Sequence, residues 1–324
     1  MRVLAGDIGG TKTQLAVAEI TPEGIRVVIE RRYDSQAHRG LDEVLDAFVK
    51  DTKERFERAG FGIAGPVVDG VCKATNLPWV VDEREIAARL GVPARLVNDF
   101  VAVAYGVGRL GESDLVVVNG GHRVEHAPCA ILGAGTGLGE AFLFWAGSRY
   151  EVASSEGGHV DFAPRDERQI GLLRTLIAKH GRVSVERVVS GLGIADIYHY
   201  LRDARVAPES EEVRAALARG ESFGAVVGLH ALEGDDPLCE ATVDLFVDAY
   251  GAEAGNIALK VVARGGVFVA GGIAPKILPK MTDGRFRAAF LDKGRFRSLL
   301  ESIPVYVVTH PNVGLIGAAV AATS

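Results

Sequence analysis

The sequence predicts an α/β protein of two lobes around a central cleft, with a core that is laid down twice. Its 324 residues suggest two domains at the usual ~150 residues each, both large enough to bury a core. A strand, glycine turn, strand pattern opens the chain around residues 6–11 and recurs around 133–139, so the middle of the chain resembles its beginning. Apolar runs of strand length alternate with helical periodicity through the rest.

Residues 2–8 read as a strand ending in a glycine turn, followed by strands at 14–20 and 25–32 on either side of a Thr-Pro-Glu-Gly turn signal. Across 41–58, Leu41, Val44, Leu45, Phe48 and Phe56 share one face of an amphipathic helix, and the charges from Lys50 to Arg58 form its solvated side. A strand follows near 62–65, then a short segment at 71–76, a helix near 82–90, a strand at 94–97 and a helix from Phe100. Strands at 114–118 and 129–144, the latter broken by glycines, and a segment at 148–155 lead into a helical stretch over 165–264. Residues 265–270 form a buried strand before Gly271-Gly272, and a last strand at 304–309 precedes a small-residue helix over 314–322.

Composition excludes several classes of partner. Apolar residues make up 48% and charged residues 24%, ordinary for a globular protein, while 40 glycines are an excess that needs a reason. A net charge of −6 offers no general attraction to nucleic acid or to anionic lipid. Any polyphosphate must be held by local backbone N–H groups and a bound cation. Cys72, Cys129 and Cys239 are far apart, with no Cys-x-x-Cys pair, and read as reduced core residues. No apolar run approaches the ~18 residues of a membrane span and the N-terminus lacks a signal-peptide pattern, which together predict a cytoplasmic protein.

Gly6-Asp-Ile-Gly-Gly-Thr11 can expose several N–H groups at a tight turn and so hold a phosphate, or it can be a plain glycine hairpin. Gly10-Thr11-Lys12-Thr13 resembles a Walker A ending but lacks the Gly directly before Lys and the following helix. Gly133 to Gly139 fails the G-x-G-x-x-G spacing because Leu138 occupies the last required place. What remains is a pair of Gly-Thr hairpins, Gly6, Asp7, Ile8, Gly9, Gly10 and Thr11 in one, Gly135, Thr136 and Gly137 in the other, with Gly271 and Gly272 after a third strand. Two such loops can grip a polyphosphate while the third gives an adenine close backbone approach. Asp7 is placed to hold a hydrated Mg²⁺, or to serve as a turn carboxylate.

Six motifs stand in one order: Gly6-Asp-Ile-Gly-Gly-Thr, Val97-Asn-Asp-Phe, Gly133-Ala-Gly-Thr-Gly-Leu-Gly, Glu156-Gly-Gly-His-Val-Asp-Phe-Ala-Pro, Ser184-Val-Glu-Arg-Val-Val-Ser-Gly and Phe268-Val-Ala-Gly-Gly-Ile. In this the chain resembles the bacterial ATP-dependent glucokinases, from residue 3 to about 318. The resemblance implies an actin-like, ribonuclease-H-like ATPase fold, with a small lobe of 1–110 plus 303–324 and a large lobe of 111–302. It further implies Mg-ATP-dependent phosphorylation of glucose at its 6-hydroxyl, a place in glycolysis and a homodimer. Matched position by position, the catalytic base falls on Asp99, and the sugar-binding residues on Asn98, Glu156, His159 and Glu186, with Thr75, Asn76 and Trp79 as a further sugar-side segment.

The chemistry of these residue types agrees. A hydroxyl attacking a γ-phosphorus must lose its proton, and a carboxylate in reach contributes typically ~10²–10⁴-fold, although Asp99 could also N-cap the helix after it. Each sugar hydroxyl is donor and acceptor at once, and a lining of carboxylates, amide and imidazole can satisfy it. Taken singly, His159 reads as a core histidine, Glu186 as a solvated helix residue and Trp79 as core. Two positions depart from the family pattern: Lys12 stands where close members carry Asn, and Glu140 replaces a small apolar residue beside the second loop. The absence of clustered cysteines near Glu156 to His159 points to the zinc-free branch. A sugar-sensing regulator would need a DNA-binding module, an actin-like or chaperone-like ATPase would not need this sugar lining, and mannose, fructose or an amino sugar are alternative substrates.

Overall fold

The first sheet grows from β1 (Arg2–Ile8), whose central residues Val3, Leu4 and Ala5 are wholly buried. In the computed structural model, which describes residues 1–22 and 24–323, two units separate. One comprises Met1–Asp114, Val152–Ser154 and His310–Ser324, and the other Leu115–Glu151 and Ser155–Thr309.

In the first unit, β2 (Lys12–Thr21) returns antiparallel along β1, from Ile8↔Thr13 to Arg2↔Glu19, and β3 (Gly24–Asp34) continues the meander. Next comes α1 (Leu41–Thr52), which buries Leu41, Val44, Leu45 and Phe48 on the stripe expected of a helix packed on a sheet. Asp42 and Glu43 lie in its first turn and Lys50 in its last, each favoured by the helix dipole. The helix expected to reach 58 stops at 52, because Lys53 turns left-handed with φ 54° and donates its N–H to the Val49 carbonyl. Phe56 still packs against the same core, from an irregular segment rather than from the helix.

β4 (Arg58–Ile63) then pairs parallel with β1. A small antiparallel sheet follows, β5 (Val67–Val68), β6 (Val71–Lys73) and β7 (Val80–Asp82), and then α2 (Glu83–Leu90). β8 (Ala94–Asn98) joins β4 in parallel and leads into α3 (Asp99–Val107). The five-stranded order is β3-β2-β1-β4-β8.

In the second unit, β9 (Leu115–Asn119) is followed by β10 (Cys129–Ala134), β11 (Leu138–Trp145) and β12 (Tyr150–Ser155), of which Val152–Ser154 group with the first unit. Five helices succeed one another: α4 (Glu167–His180), α5 (Gly191–Asp203), α6 (Glu211–Ala218), α7 (Phe223–Glu233) and α8 (Pro237–Val261). β13 (Gly266–Ala270), α9 (Leu278–Thr282), α10 (Arg285–Leu291), α11 (Arg297–Glu301) and β14 (Val305–Val308) complete it. The six-stranded order is β12-β11-β10-β13-β14-β9, with β10 antiparallel to β11 and parallel to β13.

Strands 12-11-10-13-14 repeat the arrangement of strands 3-2-1-4-8, so the duplication expected from the glycine hairpins is present in the topology. Residues 303–309, expected with the C-terminal helix, belong to the second unit because β14 hydrogen-bonds along β13. The boundaries accordingly fall after 114 and 309, where 110 and 302 were expected. Among the described residues no helix is long and apolar enough to cross a membrane. The three cysteines are free and buried.

The last helix, α12 (Val313–Ala321), lies against α3 in the first unit at backbone distance. A Cβ on Gly317 would fall 1.5 Å from the Ala102 carbonyl oxygen, so the two helices touch there without side chains between them. Gly317→Ala should therefore force α12 and α3 apart. A loss of roughly 1–3 kcal/mol or more in urea unfolding is expected, against well under 1 kcal/mol for a solvent-facing Gly→Ala change that meets no neighbour.

Candidate active site

The turn between β1 and β2 is closed by the Gly9 N–H, which donates to the Lys12 carbonyl at 3.0 Å. Ser35, fully buried at the end of β3, braces it. Its hydroxyl donates to the Gly9 carbonyl at 2.8 Å and sits 2.9 Å from Thr13 Oγ1, while its N–H donates to the Thr11 carbonyl at 3.0 Å. Three turn carbonyls are thus held by protein donors, as an anion-binding turn requires, since a free carbonyl facing a phosphate would repel it. Asn76 lies against the same turn, its Cβ 2.6 Å from where a Cβ on Gly10 would stand. Thr75 follows Ala74 at the end of the small sheet and donates its N–H to the Ala64 carbonyl at 3.1 Å.

Asn98, the last residue of β8, caps α3. Its Oδ1 accepts from the N–H groups of Phe100 at 2.9 Å and Val101 at 3.3 Å, and its Nδ2 donates to the Gly65 carbonyl at 3.0 Å. Asp99 is therefore the first residue inside the helix, not its cap, though its Oδ1 also lies 2.9 Å from the Phe100 N–H. Burial first, then the charge of Asp99, push the Asp7 carboxyl up to about 6, with Lys12 pulling partly the other way. Asp7, Asp99 and Lys12 are thereby brought together electrostatically, and Lys12 keeps its side chain exposed.

In the second unit the glycine hairpin is tight, with the Gly135 N–H donating to the Gly137 carbonyl at 2.8 Å. The start of α5 docks on it through the Gly191 N–H, 2.8 Å from the Gly135 carbonyl. Thr136 at its tip is exposed. Gly271 sits beside this hairpin with φ +83°, and any Cβ there would strike the Ala134 carbonyl at 2.5 Å. Gly272 next to it has open space where a side chain would be. Beneath both loops the buried Tyr250 hydroxyl accepts from the Ala134 N–H at 2.9 Å and donates to the Ala270 carbonyl at 3.3 Å.

Glu186, His159 and Glu156 meet beside this hairpin. Glu186 Oε2 accepts from the Leu138 N–H at 2.9 Å, and Glu186 Oε1 lies 3.7 Å from His159 Nδ1. His159 Nε2 lies 3.8 Å from Glu156 Oε2. His159 and Glu156 are exposed, so His159 is not the core histidine that it would more often be alone. The turn that carries them lies flat on β11, where a Cβ on Gly158 would fall 2.2 Å from the Leu138 carbonyl. Glu140 points inward beneath that turn instead of contacting the outside of the loop, while Trp79 is a core residue whose Nε1 donates to the His38 carbonyl at 3.3 Å. Ser35, Tyr250 and Glu253 were not singled out from the sequence, and no local pattern marks them.

The chain matches the glucokinase family model over residues 4–324. It belongs to the glucokinase family. A glucokinase of Trichormus variabilis is 46% identical over 99% of this chain and 98% of its own, and one of Synechocystis is 45% identical over 98% and 97%. A solved glucokinase from an Antarctic psychrotroph superposes with a TM-score of 0.87 at 30% identity, covering 99% of this chain and 98% of its own. As a glucokinase the protein is a phosphotransferase that phosphorylates glucose and uses ATP, on the actin-like ATPase fold expected of it.

The Asp7 carboxyl makes a titration prediction for this glucokinase. Because its folded value of about 6 lies above the ordinary 3.8, the folded state binds the extra proton between those values and loses stability as pH rises through them. Above about 6 the penalty is complete, up to about 3 kcal/mol from a shift of this size. Asp7→Asn should be more stable than the wild type at pH ~7.5 without divalent cations, and the gap should close toward pH ~4 in paired urea titrations.

Proposed function

We propose that the phosphoryl acceptor is the 6-hydroxyl of glucose and that Asp99 takes its proton. The observation carrying this is the nearness of Asp99 to Asp7: Asp7 lies opposite Gly62 in the β1–β4 register, a Cβ on Gly62 would stand 3.5 Å from the Asp99 Cα, and Asp99 opens a helix held by the Asn98 cap. The 6-oxygen attacks the γ-phosphorus of ATP, the bond to the β-phosphate oxygen breaks, ADP leaves and the proton passes to Asp99. Glu156 and Glu186 accept from the sugar hydroxyls, and His159, Asn98, Thr75 and Asn76 supply the remaining hydrogen bonds to them. Because Asn98 already spends its oxygen and one amide hydrogen on the fold, it offers glucose a single remaining N–H.

Gly6 to Thr11 and Gly135 to Gly137 hold the phosphates of ATP, and Gly271-Gly272 gives the adenine close backbone approach. Asp7 fits a Mg²⁺ held through water, since a buried carboxyl repelled by a second carboxylate is relieved by a cation. When bound, that ion neutralises charge on the β- and γ-phosphate oxygens. The protein is a cytoplasmic homodimer serving glycolysis in this proposal, and light scattering at twice the 34.3 kDa chain mass is the expected result.

Asp99→Ala should retain glucose binding by calorimetry while turnover falls roughly 10²–10⁴-fold in a coupled ADP-release assay with direct detection of glucose 6-phosphate. Near-normal turnover would remove Asp99 from the mechanism. The same assay run with chelator should abolish activity and regain it on adding Mg²⁺.

A further inference from the structure

Directly beneath the Glu156–His159 turn, two glutamates are buried side by side. Glu140 on β11 is 2% exposed and Glu253 on α8 is 3% exposed. A Cβ on Gly157 would stand 1.8 Å from Glu140 Oε2, so the turn rests on the Glu140 carboxyl itself. No N–H or hydroxyl of the described residues donates to either Glu140 oxygen. The N–H of Gly157, the residue seated on that carboxyl, donates instead to Ser155 Oγ at 3.0 Å.

The direction of the hydrogen bonds around the pair locates its proton. Lys293 Nζ can only donate, and it gives to Asn256 Oδ1 at 2.6 Å. The Asn256 amide then donates to Glu253 Oε2 at 2.8 Å, and Lys260 Nζ stands 3.7 Å from Glu253 Oε1. Glu253 is thus the acceptor at the end of this chain, with the Lys260 ammonium beside its other oxygen. A hydrogen bond between it and Glu140 then requires Glu140 to supply the hydrogen.

We propose that Glu140 is a positioning residue for glucose: as a neutral carboxyl donating to Glu253, it forms the platform that sets the height of Glu156 and His159 above β11. The inference rests on the assignment of those two residues to the sugar. The polar and charged groups placed around the pair are consistent with it. From α8 come Tyr250, Glu253 and Lys260; from the end of β12 comes Ser155; and Lys293, next to Arg165, reaches it through Asn256. Burial first, then the charge of Glu253, raise the Glu140 carboxyl to about 7, with Lys260 pulling it down. Once ionised, Glu140 faces Glu253 with no donor between them, and the two side chains separate under the turn.

The test is the glucose KM against pH at saturating ATP, for the wild type, Glu140→Gln and Glu140→Ala. Only the platform with Glu140 neutral is competent, so the wild-type KM should rise roughly tenfold or more between about pH 6 and about pH 8.5, while kcat at saturating glucose changes much less. Glu140→Gln keeps a donor for Glu253 and cannot titrate, so its KM should stay flat over that range. Glu140→Ala should raise KM at every pH. A wild-type KM that does not change with pH, or a Glu140→Gln profile that climbs in parallel with the wild type, overturns the proposal, and the Gln arm decides if the Ala variant does not fold. Glu156→Gln and His159→Ala, measured alongside, separate the two readings. If both raise the glucose KM while Glu140→Gln follows the wild type, only the role of Glu140 falls; if neither raises it, the sugar assignment falls and takes this inference with it.

Discussion

Both glycine hairpins depend on a central strand that is held from two sides. β1 carries antiparallel pairs to β2 along its whole length and parallel pairs to β4, and β10 is held in the same way by β11 and β13. A strand paired on both edges has no freedom to slide, because a one-residue slip would break both ladders and exchange the residues that pack into the two buried faces, as with Leu4 and Ile8 on one side of β1 and Val3 and Ala5 on the other. The turns leaving β1 and β10 are accordingly fixed in space without side chains of their own. The supports are different in the two repeats, a serine hydroxyl in the first and a tyrosine hydroxyl in the second, although the strand order is the same.

Most elements were legible because they follow from period and punctuation. The strands at 2–8 and 94–98, the helix from residue 83 and the long helical stretch carry their signals within a few residues of where they act. The end of α1 was not legible: the apolar period continues to Phe56, and only the left-handed turn at Lys53 ends the helix. Asn98 and Asp99 are equally good caps by residue type, and which one caps is decided by the exit of β8 and by the Gly65 carbonyl waiting for the Asn98 amide. The contact units divide after 309 and not near 303, since pairing of β14 with β13 links residues distant in sequence.

The convergence of Glu156, His159 and Glu186 was expected only through resemblance. Their types and spacing alone favour three unrelated surface or core residues, and nothing local reports that Glu186 accepts from Leu138. Residues that hold the site from below were silent altogether. Ser35, Tyr250 and Glu253 act through contacts 22, 116 and 113 residues away, and such contacts leave no periodic trace. Glu140 was visible as a departure from the family pattern, but its direction was not.

The seat of Gly157 on Glu140 also bears on how such chains diverge. With an acid at 140, any side chain at 157 must displace that acid, because even a methyl group would overlap a carboxyl oxygen. A small apolar residue at 140 would remove that obstacle and at the same stroke leave Glu253 without its neighbour. Positions 140, 157 and 253 are therefore coupled through one buried contact, so the residue held at 140 decides what 157 can accept and what Glu253 faces.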